Sequence, residues 1–175
     1  MITVLDIETT FTKEGDPSPF NPDNRLVSVG INDEYYFFYH SDLFEKSIAI
    51  DNKKSVQDIL DKSELVIGHN LKFDMSWLYQ CGFTYKGKLY DTMLGEYIIN
   101  RGEKKSVSLK ESCKRRSISL KSDILSTYMN EGYGIDEIPM PKLEEYGKQD
   151  VKITKELYEA QIETFNSHAN SNLIP

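Results

Sequence analysis

A chain of 175 residues, 39% hydrophobic and 28% charged, is long enough to bury a core without staples and has the balance of one soluble globular domain. No apolar run nears the roughly 20 residues of a membrane span, the N-terminus lacks the charged-then-apolar order of a signal peptide, and Cys81 and Cys113 have no metal-ligand spacing, so inert thiols in a cytoplasmic protein are expected. A formal charge of −7 excludes a protein that grips polyanions by bulk positive charge, but not phosphate chemistry in a site of carboxylates whose charge divalent cations offset.

Residues 1 to 8, MITVLDIE, read as a first strand that raises a question: Asp6 and Glu8, two apart, share one face of a sheet that should head for the core. Val27, Val29 and Ile31 in RLVSVGI alternate with small or polar residues as a second strand would, and Asn32-Asp33 with Glu34 forms a tight turn into an aromatic third strand, EYYFFYH. An antiparallel three-strand meander is the economical reading. Between its first two strands, residues 11 to 24 (FTKEGDPSPFNPDN) hold three of the six prolines, which neither helix nor central strand accepts, so a long loop begins three residues after Glu8.

SVQDILDKS carries Val56, Ile59 and Leu60 at helical spacing; ELVIGHN reads as a short buried strand, and KFDMSWLYQCG as a helix closed by Gly82. KLYDTMLGEYIIN, apolar at mixed spacing, is expected to be helical. Ser108 to Glu111 in SLKE match a capping box, so a helix should begin at Ser108. From Pro141 the stripe Leu143, Gly147, Val151, Thr154, Leu157, Tyr158, Ile162 and Phe165 marks a long C-terminal helix. The order implies an α/β fold, a mixed sheet of the meander plus buried strands with helices packed on it, and Asp6 and Glu8 on its central strand. One domain, residues 1–165, is expected, followed by a polar tail, 166–175.

Other acids can join the pair. Asp74 lies four residues after Asn70 in HNLKFD, at the start of a helix, where an acid also favours the positive end of the dipole. Tyr146 and Asp150 in YGKQD are four apart on the last helix and therefore on one face. Carboxylates converging from three elements repel unless cations sit between them, and hard oxygen ligands suit Mg²⁺ or Mn²⁺.

DIETT, HNLKFD and YGKQD together resemble the three motifs of the DEDD superfamily of 3′-to-5′ exonucleases, which have the ribonuclease H-like fold. Tyr146 four before Asp150, with Glu145 where the other subtype carries histidine, resembles the tyrosine subtype. HNLKFDMSWL, YDTMLGEYIIN and SLKESCKRR are most similar to the proofreading domain of family A DNA polymerases, especially those of phages. The resemblance runs from about residue 2 to about residue 160. It implies hydrolysis of DNA from the 3′ end to nucleoside 5′-monophosphates with two divalent cations, Mg²⁺ or Mn²⁺. Asp6 would bridge the two ions, Glu8 and Asp150 would complete the site of one, and Asp74 would serve the other. Tyr146 would orient the attacking water. A phenol with a pKa near 10 is only about 0.1% ionised at pH 7, so it is not the base. Asn70 and the amides of Thr9 and Thr10 would hold the terminal nucleotide, with Phe11 stacked on its base. The implied partners are single-stranded or frayed DNA 3′ ends, with a separate DNA polymerase as candidate, for a monomer in a bacterial cell or a phage-infected host.

Each feature has a plainer reading. Taken alone, an Asp-x-Glu at a strand end is more often a solvated turn; His69 is more often a hydrogen-bonded structural histidine than a ligand. Asp91 in YDTM is expected to support the site. Lys104, Lys105, Lys110, Lys114, Arg115 and Arg116 form the only basic cluster, either a solvated helix face or a DNA-backbone contact. The family commonly has a short glycine-containing turn where this chain has its proline-rich loop. A ribonuclease D-like exoribonuclease and a non-catalytic DNA-end binding module are the rival functions.

Overall fold

The computed structural model describes residues 1–11, 15–43, 46–101, 103–120 and 124–171. The N-terminal apolar run forms β1 (Ile2–Thr9), the middle strand of a five-stranded sheet ordered β3-β2-β1-β4-β5. β2 (Leu26–Ile31) and β3 (Glu34–Phe37) complete the antiparallel meander through the expected two-residue turn, where Asn32 takes a left-handed φ of 52°. Asn32 Oδ1 accepts the Val4 amide and its own amide donates to the Val4 carbonyl, so the turn continues the β1 ladder.

β4 (Leu65–Gly68) and β5 (Lys88–Asp91) lie on the other side of β1, both parallel to it. Parallel neighbours need crossovers. α1 (Lys46–Lys62) links β3 to β4 and α2 (Leu71–Gln80) links β4 to β5. α1 starts ten residues before the apolar spacing at Val56 shows it, because its first turns are largely polar and leave Ile48 and Ile50 exposed. Gly82, at φ 78°, closes α2 as expected, its amide on the Tyr79 carbonyl.

KLYDTMLGEYIIN is not one helix. Lys88–Asp91 is the edge strand β5, and Asp91 then caps α3 (Thr92–Ile99) by accepting the Met93 amide. An edge strand exposed at Lys88 and Leu89 carries no buried alternation, so its period was hidden. Ser108 caps α4 (Leu109–Arg115) as expected, accepting the Glu111 amide, but Glu111 turns to Lys114 rather than back to close the box. α5 (Ile124–Asn130) buries only Leu125 and has no readable stripe. The long helix α6 (Met140–Ser171) runs through the expected boundary at 165.

Alternation along β1 divides the core. Leu5 and Ile7 join Val56 and Leu60 of α1 and Leu71, Met75 and Leu78 of α2 in one cluster, whereas Val4 faces the other way and packs with Ile67 and Val151 of α6. Asp6 and Glu8 therefore share the α6 side. Beyond the sheet, buried Glu96 of α3 binds Arg115 of α4, Arg116 just after it and Gln161 of α6, which fastens three helices together and commits two of the six expected basic-cluster residues. Cys81 and Cys113 are free thiols. No helix among the described residues is long and apolar enough to cross a membrane.

Candidate active site

Two glycines decide how near α6 comes to the acidic strand. Asp6 pairs with Gly30 and Glu8 with Ser28 across the β1–β2 ladder. A Cβ on Gly30 would stand 3.1 Å from Val151 Cγ2 and 3.4 Å from the Gly147 carbonyl, and one on Gly147 would overlap the Tyr35 ring. The helix thus lies on β2 at a separation only missing side chains permit. That contact carries Tyr146 and Asp150 to Asp6 and Glu8. Tyr35 is itself held, its hydroxyl 2.7 Å from Ser28 Oγ. Gly147→Ala is accordingly expected to cost about 1–3 kcal/mol of stability in urea unfolding. If the expected nuclease chemistry runs on these acids, it should also slow that reaction by about 100-fold, the penalty of moving a reacting group by an ångström. Initial rates equal to the parent's would show that Tyr35 yields without moving α6.

Asp74 arrives from the opposite side. Asp91 accepts the amides of Asn70 (3.0 Å) and Leu71 (2.9 Å), so the strand end β5 fixes the first turn of α2. Asp74, in that turn, is 3% exposed, and its Oδ2 has no hydrogen-bond partner. A Cβ on Gly68 would lie 3.2 Å from that oxygen and 3.3 Å from the Leu5 carbonyl, which places the carboxylate at the end of β4, on the side of β1.

The electrostatics follow from crowding. Burial, then Asp150, pushes Asp6 well above the usual carboxylate range; burial, Asp6 and Asp150 do the same to Glu8; burial, Asp6, Asp91 and Glu8 raise Asp74. Every one of these influences opposes ionisation. The Tyr146 phenol is held well above its ordinary value by burial, by Asp150 and Glu8, and by its hydrogen bond to Asp150, so it stays protonated. Among the described residues no three His, Cys, Asp or Glu side chains form a finished metal-coordinating group. The acids lie within one another's fields without closing a shell. Asp74 Oδ2, a buried acceptor with nothing to accept, fits a divalent cation, as does a set made only of hard oxygen donors.

The 3′-5′ exonuclease family matches residues 12–161. The chain belongs to that family. Asp74, Tyr146 and Asp150 lie inside the match, while Asp6 and Glu8 on β1 precede it. DNA polymerase I of Aquifex aeolicus is 26% identical in an alignment 144 positions long that covers 77% of this chain and 21% of that protein, so the chain spans about a fifth of its relative. Among solved structures, the apo form of a nuclease superposes with a TM-score of 0.65 at 15% identity, covering 96% of this chain and 74% of its own. Brucella melitensis NrnC bound to pGG gives 0.62 at 19%, and NrnC with bound Mg²⁺ gives 0.61 at 17%, each covering 98% of this chain and 76% of its own. These likenesses show the ribonuclease H-like fold, and the family match with the polymerase relative supports a DEDD 3′-5′ exonuclease.

In this exonuclease the remaining expected residues separate. Phe11, 42% exposed, stands two beyond Thr9, where a bulge interrupts the ladder with β2. The Thr10 amide does not await a nucleotide: it donates to the Arg25 carbonyl at 2.9 Å, because the loop closes on itself there. Asn70 takes a left-handed φ of 64° and its exposed side chain makes no capping bond. His69 Nδ1 is bonded to Thr92 Oγ1, which donates to the Gly68 carbonyl, a structural role. Asp91 supports α2 and α3. Tyr35, Gly30 and Gly68 were not singled out as site residues; only the helix contact gives them meaning. A cleft of about 420 Å³ opens beside Tyr146 and Asp150, lined by Leu109, Lys110, Ile124 and Ile153.

Proposed function

We propose that this chain is a divalent-cation-dependent exonuclease of the tyrosine subtype that hydrolyses DNA from the 3′ end and releases nucleoside 5′-monophosphates. The observation that carries the reading is Asp74: a buried carboxylate with an unpartnered oxygen, set among other acids that all oppose its ionisation, has a use only when cations are present. Asp6, Glu8, Asp74 and Asp150 would hold two ions, Mg²⁺ or Mn²⁺, which supply Lewis acidity to the scissile phosphate and a nucleophile at neutral pH. Tyr146, kept protonated and bonded to Asp150, orients the attacking water by its hydroxyl. The Asn70 side chain and the bulged backbone at Thr9 hold the terminal nucleotide, and Phe11 stacks on its base. The cleft beside Tyr146 is within the usual range for a small-molecule site and leaves room for that nucleotide.

The substrate is a single-stranded or frayed DNA 3′ end, and likeness to a segment of a DNA polymerase supports proofreading for a separate polymerase; the chain acts, on this reading, as a cytoplasmic monomer. RNA is the second reading, favoured by the fold shared with NrnC, which has been solved with pGG bound. A mere DNA-end binder gains nothing from carboxylates facing phosphate. Incubation of 5′-labelled single-stranded DNA and RNA with Mg²⁺, Mn²⁺ or EDTA tests this. Laddering of DNA from the 3′ end with a cation and none in EDTA is expected, with mismatched termini cut faster than matched duplex because fewer pairs must open. Ready digestion of RNA alone would transfer the assignment to RNA, and digestion of 3′-phosphorylated strands as fast as free 3′-hydroxyl strands would overturn it.

A further inference from the structure

The fold divides the basic cluster of the sequence. Arg115 and Arg116 are held by buried Glu96 at 2.8 and 2.6 Å, Lys105 pairs with Glu103 at 2.6 Å and Lys114 with Glu111 at 2.7 Å. Lys104 and Lys110 remain, both exposed and neither in an ion pair among the described residues. Glu111 feels Lys110 as well, but after Lys114, which it binds. The two lysines differ in place. Lys104 lies in the segment between α3 and α4, whereas Lys110 lines the cleft that opens beside Tyr146 and Asp150.

Packing sets Lys110 on the Asp150 side of α6. Leu109 and Cys113 of α4 cluster with Ile153 and Leu157, so the helix that carries Lys110 meets α6 one turn past Asp150. Cys113, three residues on from Lys110 and hence on the same side of α4, has its thiol pushed up to about 11 by burial and then by Asp150. The helix itself gives no reason for the lysine, because in its first turn the positive end of the dipole disfavours a cation. The cleft sets the ammonium beside the apolar side chains of Leu109, Ile124 and Ile153, features that match the phosphate and the base of a nucleotide. In a chain of net charge −7, whose site gathers carboxylates, a strand must find positive charge locally.

We propose that Lys110 binds a backbone phosphate of the strand, inward of the linkage being cut, where the strand leaves the cleft beside Tyr146. The inference rests on the exonuclease reading and adds a contact that the carboxylates and their cations do not make. A phosphate contact carries no sequence information, as removal of any 3′ nucleotide requires. A lysine suits it better than an arginine fork would, because a point charge on a flexible stem can release one phosphate and take the next as the strand advances. Lys104, outside the cleft, has no such part.

The test compares the full chain with Lys110→Gln and Lys104→Gln, which remove the same charge, on single-stranded DNA of about 12 nucleotides with Mg²⁺ or Mn²⁺. Lys110→Gln should raise KM by about 3- to 30-fold with kcat unchanged, and lower the slope of log KM against log salt by about 0.7, the share of one phosphate on a single strand. Lys104→Gln should do neither. A neutral methylphosphonate, placed one linkage at a time inward of the cut, should raise the parent's KM by a similar factor at one position, and there Lys110→Gln should lose nothing more. An unchanged KM for Lys110→Gln would report a solvated lysine, an equal loss for Lys104→Gln a general field, and full additivity with the methylphosphonate at every position a distorted site; each overturns the inference while the exonuclease stands. If the parent cleaves no strand, the exonuclease reading fails, and fluorescence anisotropy of labelled single-stranded DNA in EDTA decides Lys110 by itself. Weaker and less salt-dependent binding by Lys110→Gln than by Lys104→Gln upholds the contact, and equal binding refutes it.

Discussion

Asp74→Asn is expected to remove hydrolysis, by about 1,000-fold or more, and at the same time to make the cation-free protein more stable. The two effects have one cause. The parent confines a carboxylate that is 3% exposed, with one oxygen unpartnered, near Asp6, Asp91 and Glu8. An amide of the same size removes the charge, and relief of an uncompensated buried group is worth about 1–3 kcal/mol, or roughly 2–10 °C in Tm for a chain of this length. The pH dependence has a definite sign. Since Asp6, Glu8 and Asp74 are raised on folding, the folded state binds more protons than the unfolded one, so the cation-free parent loses stability as pH rises from the ordinary carboxylate range through the raised folded values. Saturating Mn²⁺ should reverse the order at neutral pH, stabilising the parent and leaving Asp74→Asn little changed. Thermal melting in EDTA and in Mn²⁺, from about pH 5 to about pH 8, reads all of this. An Asp74→Asn protein less stable than the parent in EDTA would mean that Asp74 is a structural acid, and undiminished turnover in EDTA would end the cation mechanism.

The acidic strand was legible because alternation is a local property: two apart on a strand means one face, and β1 places Asp6 and Glu8 on the α6 side as it must. Asp74 and the Tyr146–Asp150 pair were legible from helical spacing joined to motif order. What could not be read was how the faces meet. Gly147 appears in the sequence only as one member of an apolar stripe, and Gly30 as a small residue in a strand, yet their missing side chains set the distance between α6 and β1. Tyr35, an aromatic in an aromatic strand, gives no sign that its ring fills that contact. β5 is hidden for a related reason: an edge strand with Leu89 half in water lacks the burial rhythm on which a strand is recognised, and Asp91, where strand becomes helix, accepts not only the local Met93 amide but also amides 20 and 21 residues earlier in the chain. The resemblance implies the Thr10 amide for substrate, and no local pattern in residues 11–24 signals that the Arg25 carbonyl takes it instead.

Tyr146→Phe should slow the chemical step by about 10- to 10,000-fold while leaving DNA binding nearly intact. The hydroxyl is bonded to Asp150 and feels Glu8 and Asp6, and the same neighbours hold the phenol protonated, which excludes it as a base at neutral pH and leaves it a donor of fixed position. Deleting that one oxygen keeps the ring, which packs with Leu143, Phe37 and Leu125, so the helix contact with the sheet survives and the loss is chemical. The range spans the cost of one orienting hydrogen bond up to the full contribution of an acid–base group, and Asp150→Ala, which removes both a carboxylate and the partner that positions Tyr146, should cost at least as much. Single-turnover rates at saturating single-stranded DNA isolate the step, with binding followed separately in EDTA. If Tyr146→Phe turned over as fast as the parent, the water would be oriented by the carboxylates and their cations alone, and the tyrosine four residues before Asp150 would be no more than the rim of the α6 packing face.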